Sequence, residues 1–329
     1  MTDSVKAHQG YDLIGDVHGC ARTLERLLEK LGYSKRMGVY EHPSRKVIFL
    51  GDIIDRGPRI REALHRVRDM VDRGSALIVM GNHEYNALGY CTRARPGSGR
   101  THLREHNERH SRLIRETLEQ FSHYDHEWHD FLDWFYELPL FLETEQFRVV
   151  HACWDEHLIR QFLQKHPSGC IDEEFLHASA APGSFAGKVM DRLLRGTDMK
   201  LPDDWSMTGR DGFTRRFFRT KFWARNPQTY GDVVFQPDPL PPAIAGRPLS
   251  QKDREQLLSY PSDEPPVFVG HYWRTGRPMP VAHNVACLDY SAVKYGKLVA
   301  YRMDGEQVID PEKFVWVDVN SEQSSVPWE

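Results

Sequence analysis

The stretch YDLIGDVHGC, residues 11–20, runs from an apolar segment into Asp16 and His18, set two residues apart among glycines. "YDLI" has the look of a buried strand, and the segment after it, Ala21–Leu31, puts Leu24, Leu27, Leu28 and Leu31 on one helical face. The pattern then recurs. "KVIFL" is a second strand leading into "GDIIDRG", and Arg59–Asp72 follows as a helix with Ala63, Leu64, Val67 and Val71 inward. "ALIVM" is a third strand, leading into "GNHE". Strands alternating with amphipathic helices predict an α/β layer with a largely parallel, buried sheet, and in such sheets ligands gather at the carboxyl ends of strands. The polar residues stand there each time.

Further along, Arg100–Tyr136 reads as helical, "FRVVH" as a strand, and "PPVFVGH", "NVACLDY" and "KLVAYRM" as closing strands. The 155–262 stretch between them holds amphipathic segments, a proline-rich run and no repeat. Because strands resume after it, we read 1–320 as one domain carrying an insertion or lid at 155–262, with a polar tail at 321–329.

Composition narrows the function classes. The chain has 329 residues with 40% hydrophobic content, enough for a substantial core, and no apolar run long enough to span a bilayer. Five scattered cysteines without CxxC spacing fit reduced thiols and a cytoplasmic location. A formal net charge of −4 gives no general drive towards nucleic acid or anionic membrane. Neither partner is favoured, so function must be read from local sites.

Asp16, His18, Asp52, Asn82, His151 and His271 together offer carboxylate, imidazole and amide ligands without a thiolate. That donor set suits hard to borderline divalent ions: manganese first, with iron or zinc as alternatives. Asp52 is central in the set and could bridge two ions.

"GDVHG", "GDIIDRG" and "GNHE" resemble the motifs of the calcineurin-like metallophosphoesterases, closest to their protein-phosphatase-like branch, and "FYELPL…VVH" and "VFVGH" resemble two further blocks of the family. The resemblance implies a sandwich of mixed β-sheets flanked by helices, here with a largely helical insertion. It also implies two ions, one held by Asp16, His18 and bridging Asp52, the other by Asp52, Asn82, His151 and His271. A hydroxide generated between such ions attacks phosphorus in line. His83 would protonate the leaving group, Asp55 would orient and charge the His83 imidazole, and Arg56 would grip phosphate oxygens.

Departures point towards different substrates. "HACWD" carries Ala152 and Cys153 where the protein phosphatases usually have two glycines, and "GHYW" lacks a second histidine. "GHYW" looks like the diadenosine tetraphosphate hydrolases, whereas the Asp55–Arg56 pair does not. We therefore expect a phosphatase of the protein-phosphatase-like type, acting on a phosphorylated small molecule, nucleotide or phosphoprotein. The alternatives are a dinucleoside polyphosphate hydrolase and a metal-binding regulatory module without turnover.

Two other features draw the eye. His102, His106 and His110 repeat every four residues on an expected helix, a spacing able to bind zinc, although the charges between them suggest a solvated face. Inside the insertion, "GRDGFTRRFFRTKFWARN" interleaves arginines with aromatics. It is either an amphipathic helix or a substrate-reading surface in which Arg215 and Arg219 hold phosphates.

Overall fold

The computed structural model describes residues 10–208, 214–235 and 240–319. The two stretches of sequence that alternate with helices build two mixed sheets. In the first, Gly10–Ile14, Arg45–Phe49 and Ala76–Ile78 pair in parallel in that order, and Lys297–Met303 closes antiparallel on the free side of Gly10–Ile14. Asp289–Tyr290 and Phe314–Asp318 then pair with Lys297–Met303. In the second, Val267–Val269 lies parallel to both Arg148–Val150 and Val285–Cys287, and Phe141–Glu143 runs antiparallel at the edge.

Period-two side-chain alternation explains why the sheets stack. Leu13, Ile48, Val149, Phe268 and Ala286 pack into one shared cluster between them. Their neighbours Ile14, Val47, Phe49, Val150, Val267 and Val269 face outward into a second cluster with the helices. On the first sheet these are α1 (Ala21–Lys30), which buries Leu24, Leu27 and Leu28, and α2 (Ile60–Asp72), which buries Ala63, Leu64 and Val67. Each such leucine contributes about 1.5–3 kcal/mol on burial. Helices α3 (Asn82–Cys91), α4 (Glu108–Phe121) and α5 (Asp125–Tyr136) follow. The result is the expected α/β sandwich, and no helix among the described residues is long and apolar enough to cross a membrane.

The helix expected from Arg100 begins only at Glu108, capped by the Asn107 side chain, which accepts from the His110 backbone N–H. His102 and His106 therefore precede it, and the four-residue zinc face does not form. Their rings stack on each other, with Tyr90 against His106. His106 also bonds the Tyr90 carbonyl and His110 the Glu105 carbonyl.

The 155–262 stretch begins with helices α6 (Glu156–Leu163), α7 (Glu173–Ser179) and α8 (Phe185–Arg195), which bury Ile159, Phe162, Leu176, Val189 and Leu193 in the main core. Within the arginine–aromatic segment, Thr214–Arg215 and Phe217–Thr220 are extended rather than helical, pairing with Met207–Thr208 and Thr197–Lys200. Strand alternation turns Phe218 and Thr220 inward and leaves Phe217 exposed, a pattern that bulky and β-branched side chains support better than a helix does. Phe218 joins Met199, Leu201, Tyr230, Val233 and Ile244 in a separate cluster. Arg210, Phe213 and the 321–329 tail lie outside the described residues.

Candidate metal centre

Both sheets end at one edge. Asp16 and His18 follow Gly10–Ile14, Asp52 follows Arg45–Phe49, and Asn82 and His83 open α3 beyond Ala76–Ile78. His151 follows Arg148–Val150 in the second sheet, and His271 follows Val267–Val269. The six expected ligands and His83 are all buried there.

The loops clasp one another. The backbone N–H groups of Val17 and His18 donate to the Asp52 carbonyl at 3.1 and 2.9 Å, and Gly19 N–H donates to the Ile53 carbonyl at 2.8 Å. A Cβ at Gly57 would stand 1.8 Å from the His18 carbonyl oxygen, and one at Gly270 would stand 2.1 Å from Asp16 Oδ1. Only glycine permits these approaches.

Lone pairs converge on Asp52. His18 donates through Nδ1 to the Ile54 carbonyl at 2.8 Å, and His151 through Nδ1 to the Leu50 carbonyl at 2.6 Å. Those contacts assign the ring protons and leave Nε2 of each as an acceptor. The His151 Nε2 atom faces Asp52 Oδ2 at 3.4 Å and Asn82 Oδ1 at 3.1 Å, and His18 Nε2 faces Asp52 Oδ2 at 3.7 Å. His271 Nδ1 lies 2.7 Å from Asn82 Oδ1, while its buried Nε2 lacks a hydrogen-bond partner among the described residues. Acceptors turned towards acceptors repel unless a proton or cation lies between them, so the donor set fits divalent ions. Two triads of ligand atoms within 4.8 Å of one another share Asp52: His18–Asp52–His83 and Asp16–Asp52–His151. The expected partition put Asp16 with His18, whereas these groupings put Asp16 with His151.

Electrostatics point the same way. Burial pushes Asp52 up, but the imidazoles of His151, His83 and His18 outweigh it and hold the carboxyl well below its ordinary range. Burial and the nearby Asp289 carboxylate push Asp16 well up. Burial pulls His151 down, but Asp52 overrides it and raises the imidazole to about 10. A buried pocket that crowds carboxylates and recruits protons is one a cation would stabilise.

Beside it, His83 Nδ1 contacts Asp55 Oδ2 at 2.5 Å, while His83 Nε2 lies 3.9 Å from Asp52 Oδ2. Thr117 Oγ1 donates to Asp55 Oδ1 at 2.5 Å and accepts from the Asp55 N–H at 3.1 Å, so the carboxyl is fixed at both oxygens. Burial, with Arg56, pulls His83 down to about 3, and burial raises Asp55 to about 8. Arg56 reaches in to 3.2 Å from His18 Nε2.

Of the two insertion arginines, Arg219 comes to the site. The Arg56 charge acts on it, and its own charge is the largest charge effect lowering His271. Arg215 stands one step further out, acting on Arg219.

Three positions went unread in the sequence. Glu84, the last letter of "GNHE", is fully buried and accepts from the N–H groups of Asp52 (2.9 Å), Ile53 (2.8 Å) and Gly81 (3.0 Å). Burial and the Asp52 charge push its carboxyl up to about 7. Asp289, in "NVACLDY", is a buried carboxyl close enough to act on Asp16. Arg104 is pulled down to about 10 by burial and Arg195, and bears on both Asp55 and His83. Glu84's place in a motif was the one available signal.

A family profile matches more than half of this chain. The profile of the family described as Calcineurin-like phosphoesterase matches residues 12–198. The bis(5'-nucleosyl)-tetraphosphatase PrpE [asymmetrical] of Oceanobacillus iheyensis is 34% identical over 151 residues, 45% of this chain and 58% of that protein. The protein of the same name from Halalkalibacterium halodurans is 46% identical over 74 residues, 22% of this chain and 30% of the relative. The match thus spans between about a third and three-fifths of these relatives' length. Among solved structures, a Saccharomyces cerevisiae serine/threonine phosphatase with similarity to human PP5 covers 99% of this chain and 83% of its own, at TM-score 0.49 and 15% identity.

Proposed function

The chain belongs to the calcineurin-like phosphoesterase family, and from that premise we propose that it hydrolyses phosphate esters at a two-ion centre built around Asp52. The observation that carries this is the pair of buried triads sharing Asp52, one of which contains His83, itself paired with Asp55. Asp16, His18, Asp52, Asn82, His151 and His271 would hold the ions, manganese first, with iron or zinc as alternatives. When bound, two divalent ions polarise a phosphoryl oxygen and supply a water that ionises near neutral pH. His83 would hand its Nε2 proton to the leaving oxygen as the proton held by Asp55, 2.5 Å from Nδ1, passes to the ring, leaving Asp55 a carboxylate that Thr117 holds in place. Arg56 offers a planar fork to the non-bridging oxygens, and Arg219 adds charge on the insertion side. The 155–262 insertion then acts as a wall or lid over the site.

A phosphatase of the protein-phosphatase-like type is one reading of the substrate. The second, a dinucleoside polyphosphate hydrolase, is favoured by the names of the relatives and by the number of cations around the centre, Arg56, Arg104 and Arg219. A regulatory module without turnover would have no use for the fixed His83–Asp55 pair. The five cysteines, all free and three of them buried, fit a reducing compartment such as the cytoplasm.

The test is a panel of aryl phosphate, phosphopeptide, diadenosine tetraphosphate and RNA-end substrates, with and without added manganese. Asp52→Asn serves as control and should lose ion binding and nearly all turnover. Absence of metal-dependent hydrolysis on every substrate would overturn the reading. Full activity in Asp52→Asn would overturn the central place given to Asp52.

A further inference from the structure

Two residues after His271 stands the half-buried indole of Trp273. It carries two cations. The Lys294 Nζ lies 3.7 Å from its ring centroid, and the Arg56 guanidinium carbon 5.9 Å from the same centroid. Arg56 also reaches His18 Nε2 at 3.2 Å. A path of named contacts therefore runs from the floor of the centre through Arg56 and Trp273 to Lys294, an exposed residue.

The turn that presents Lys294 is held under strain. Ala292–Lys294 is a short 3-10 turn flanked by Ser291 at φ 56° and Tyr295 at φ 56°, neither of them glycine. Left-handed backbone costs about 1–2 kcal/mol at such residues and persists only where the surroundings over-determine it. They do so here. Ser291 N–H donates to Asp289 Oδ1 at 2.9 Å, and Lys294 N–H to the Ser291 carbonyl at 2.9 Å. Ala292 and Val293 are buried, and a Cβ at Gly296 would stand 2.1 Å from the Tyr290 carbonyl oxygen.

The strain keeps like charges together. Partial burial and the Arg56 charge both pull the Lys294 ammonium below the ordinary lysine range, with Asp289 acting the other way. An ordinary lysine–tryptophan contact is worth about 0.5–1 kcal/mol at an exposed site, and it would not require a lysine beside an arginine on a strained turn. An anion between the two cations relieves the repulsion.

We propose that Lys294, seated on Trp273, is a second anion subsite that takes a further phosphate of a chain whose first phosphate is gripped by Arg56. The site thereby selects a phosphoanhydride chain over a lone monoester. This rests on the phosphoesterase reading for where the scissile group lies, but the binding itself does not depend on turnover.

The experiment is calorimetry on the full-length, metal-stripped protein at fixed ionic strength, titrated with orthophosphate, tripolyphosphate and diadenosine tetraphosphate. Wild type is expected to bind tripolyphosphate at least tenfold more tightly than orthophosphate. Lys294→Met should cut that preference below threefold, Trp273→Leu should reduce it by loosening the ammonium, and Lys294→Arg should keep it. Diadenosine tetraphosphate binding more tightly than tripolyphosphate would assign the chain to a nucleotide, and equal binding to bare polyphosphate; both support the subsite. A preference that survives Lys294→Met overturns it. The two readings fail separately. A protein without turnover that still shows the Lys294-dependent preference loses the hydrolase assignment alone. A working hydrolase in which Lys294→Met leaves the preference intact loses the subsite alone.

Discussion

Replacing Glu84 by glutamine should weaken the centre without replacing any proposed ligand. At pH 8, above the value of about 7 to which burial pushes it, Glu84 is a carboxylate. It accepts three short hydrogen bonds from the backbone of Gly81, Asp52 and Ile53. Gly81 and Asp52 share Oε2, and Ile53 uses Oε1 with a longer contact from Ile54 at 3.4 Å, so whichever way a glutamine amide turns, its NH₂ meets backbone N–H. Hydrogen bonds to a charged group contribute about 1.5–3 kcal/mol each, and a buried donor left facing a donor costs about as much again. A local loss of about 3 kcal/mol follows for the least disrupted arrangement. In a chain of 329 residues, at about 2 °C per kcal/mol, that lowers Tm by about 6 °C. Asp52 lies on the loosened loop, so manganese affinity should fall between about tenfold and a hundredfold, as when the groups supporting a ligand are removed. Thermal unfolding of metal-stripped protein measures the first effect and calorimetric manganese titration the second. A Glu84→Gln protein with Tm within 2 °C and affinity within twofold of wild type, the bounds set by these estimates, would refute the reasoning.

His83→Asn should keep ion binding but lose rate by about a hundredfold on esters with basic leaving groups and by less on aryl phosphates, which need little protonation. Equal losses across a leaving-group series would remove His83 from the acid role. Arg219→Ala should raise KM for a dinucleoside polyphosphate by about tenfold, the equivalent of one charge-assisted contact of about 1.4 kcal/mol. Arg215→Ala, one step further out, should change it by less than about threefold. Reversal of that order would mean that Arg215 is the residue in contact with substrate.

The parts of this protein legible in its sequence are those governed by short-range rules. Strand–helix alternation yields the sheets, and placement of polar residues just past strand ends yields the floor of the centre, because both depend on neighbours in sequence. What escaped depends on contacts across long separations. Asp289 is 273 positions from Asp16 (289 − 16), and nothing local marks a lone aspartate in an apolar strand as part of a charge cluster. The Lys294–Trp273 contact joins a turn in one sheet to a loop from the other. Helical periodicity also misled where it was judged alone: Phe213, Phe217 and Phe218 fit a helix, yet Phe217–Thr220 pairs as a strand. His102, His106 and His110 keep a four-residue spacing across a boundary that the Asn107 cap sets.

Backbone strain gathers at the proposed centre of this chain, though Met37, Asp203 and Asn226 also carry it. Among the described residues, His18, Asp52, Asp55, Arg56 and His271 all have positive φ, between 43° and 69°. All five stand at the proposed centre, where interlocked loops hold them, and strain kept in that way marks a constrained site. Met37 is the contrast. It has φ 50° in a two-residue turn with Gly38 at φ 88°, between Ser34–Arg36 and Val39–Glu41. Its side chain is 90% exposed. Two successive positive φ values match a type I′ hairpin turn, for which Asn-Gly is the preferred pair. Asparagine tolerates the left-handed region better than an unbranched apolar side chain does, so Met37→Asn should stabilise the protein by about 0.5–1 kcal/mol, or about 1–2 °C in Tm. Turnover should be unchanged, because the hairpin contributes no group to the centre. A melting temperature that falls on this substitution would show that Met37 is held by something other than turn geometry, and the same test would then have to be met by the strained residues of the centre.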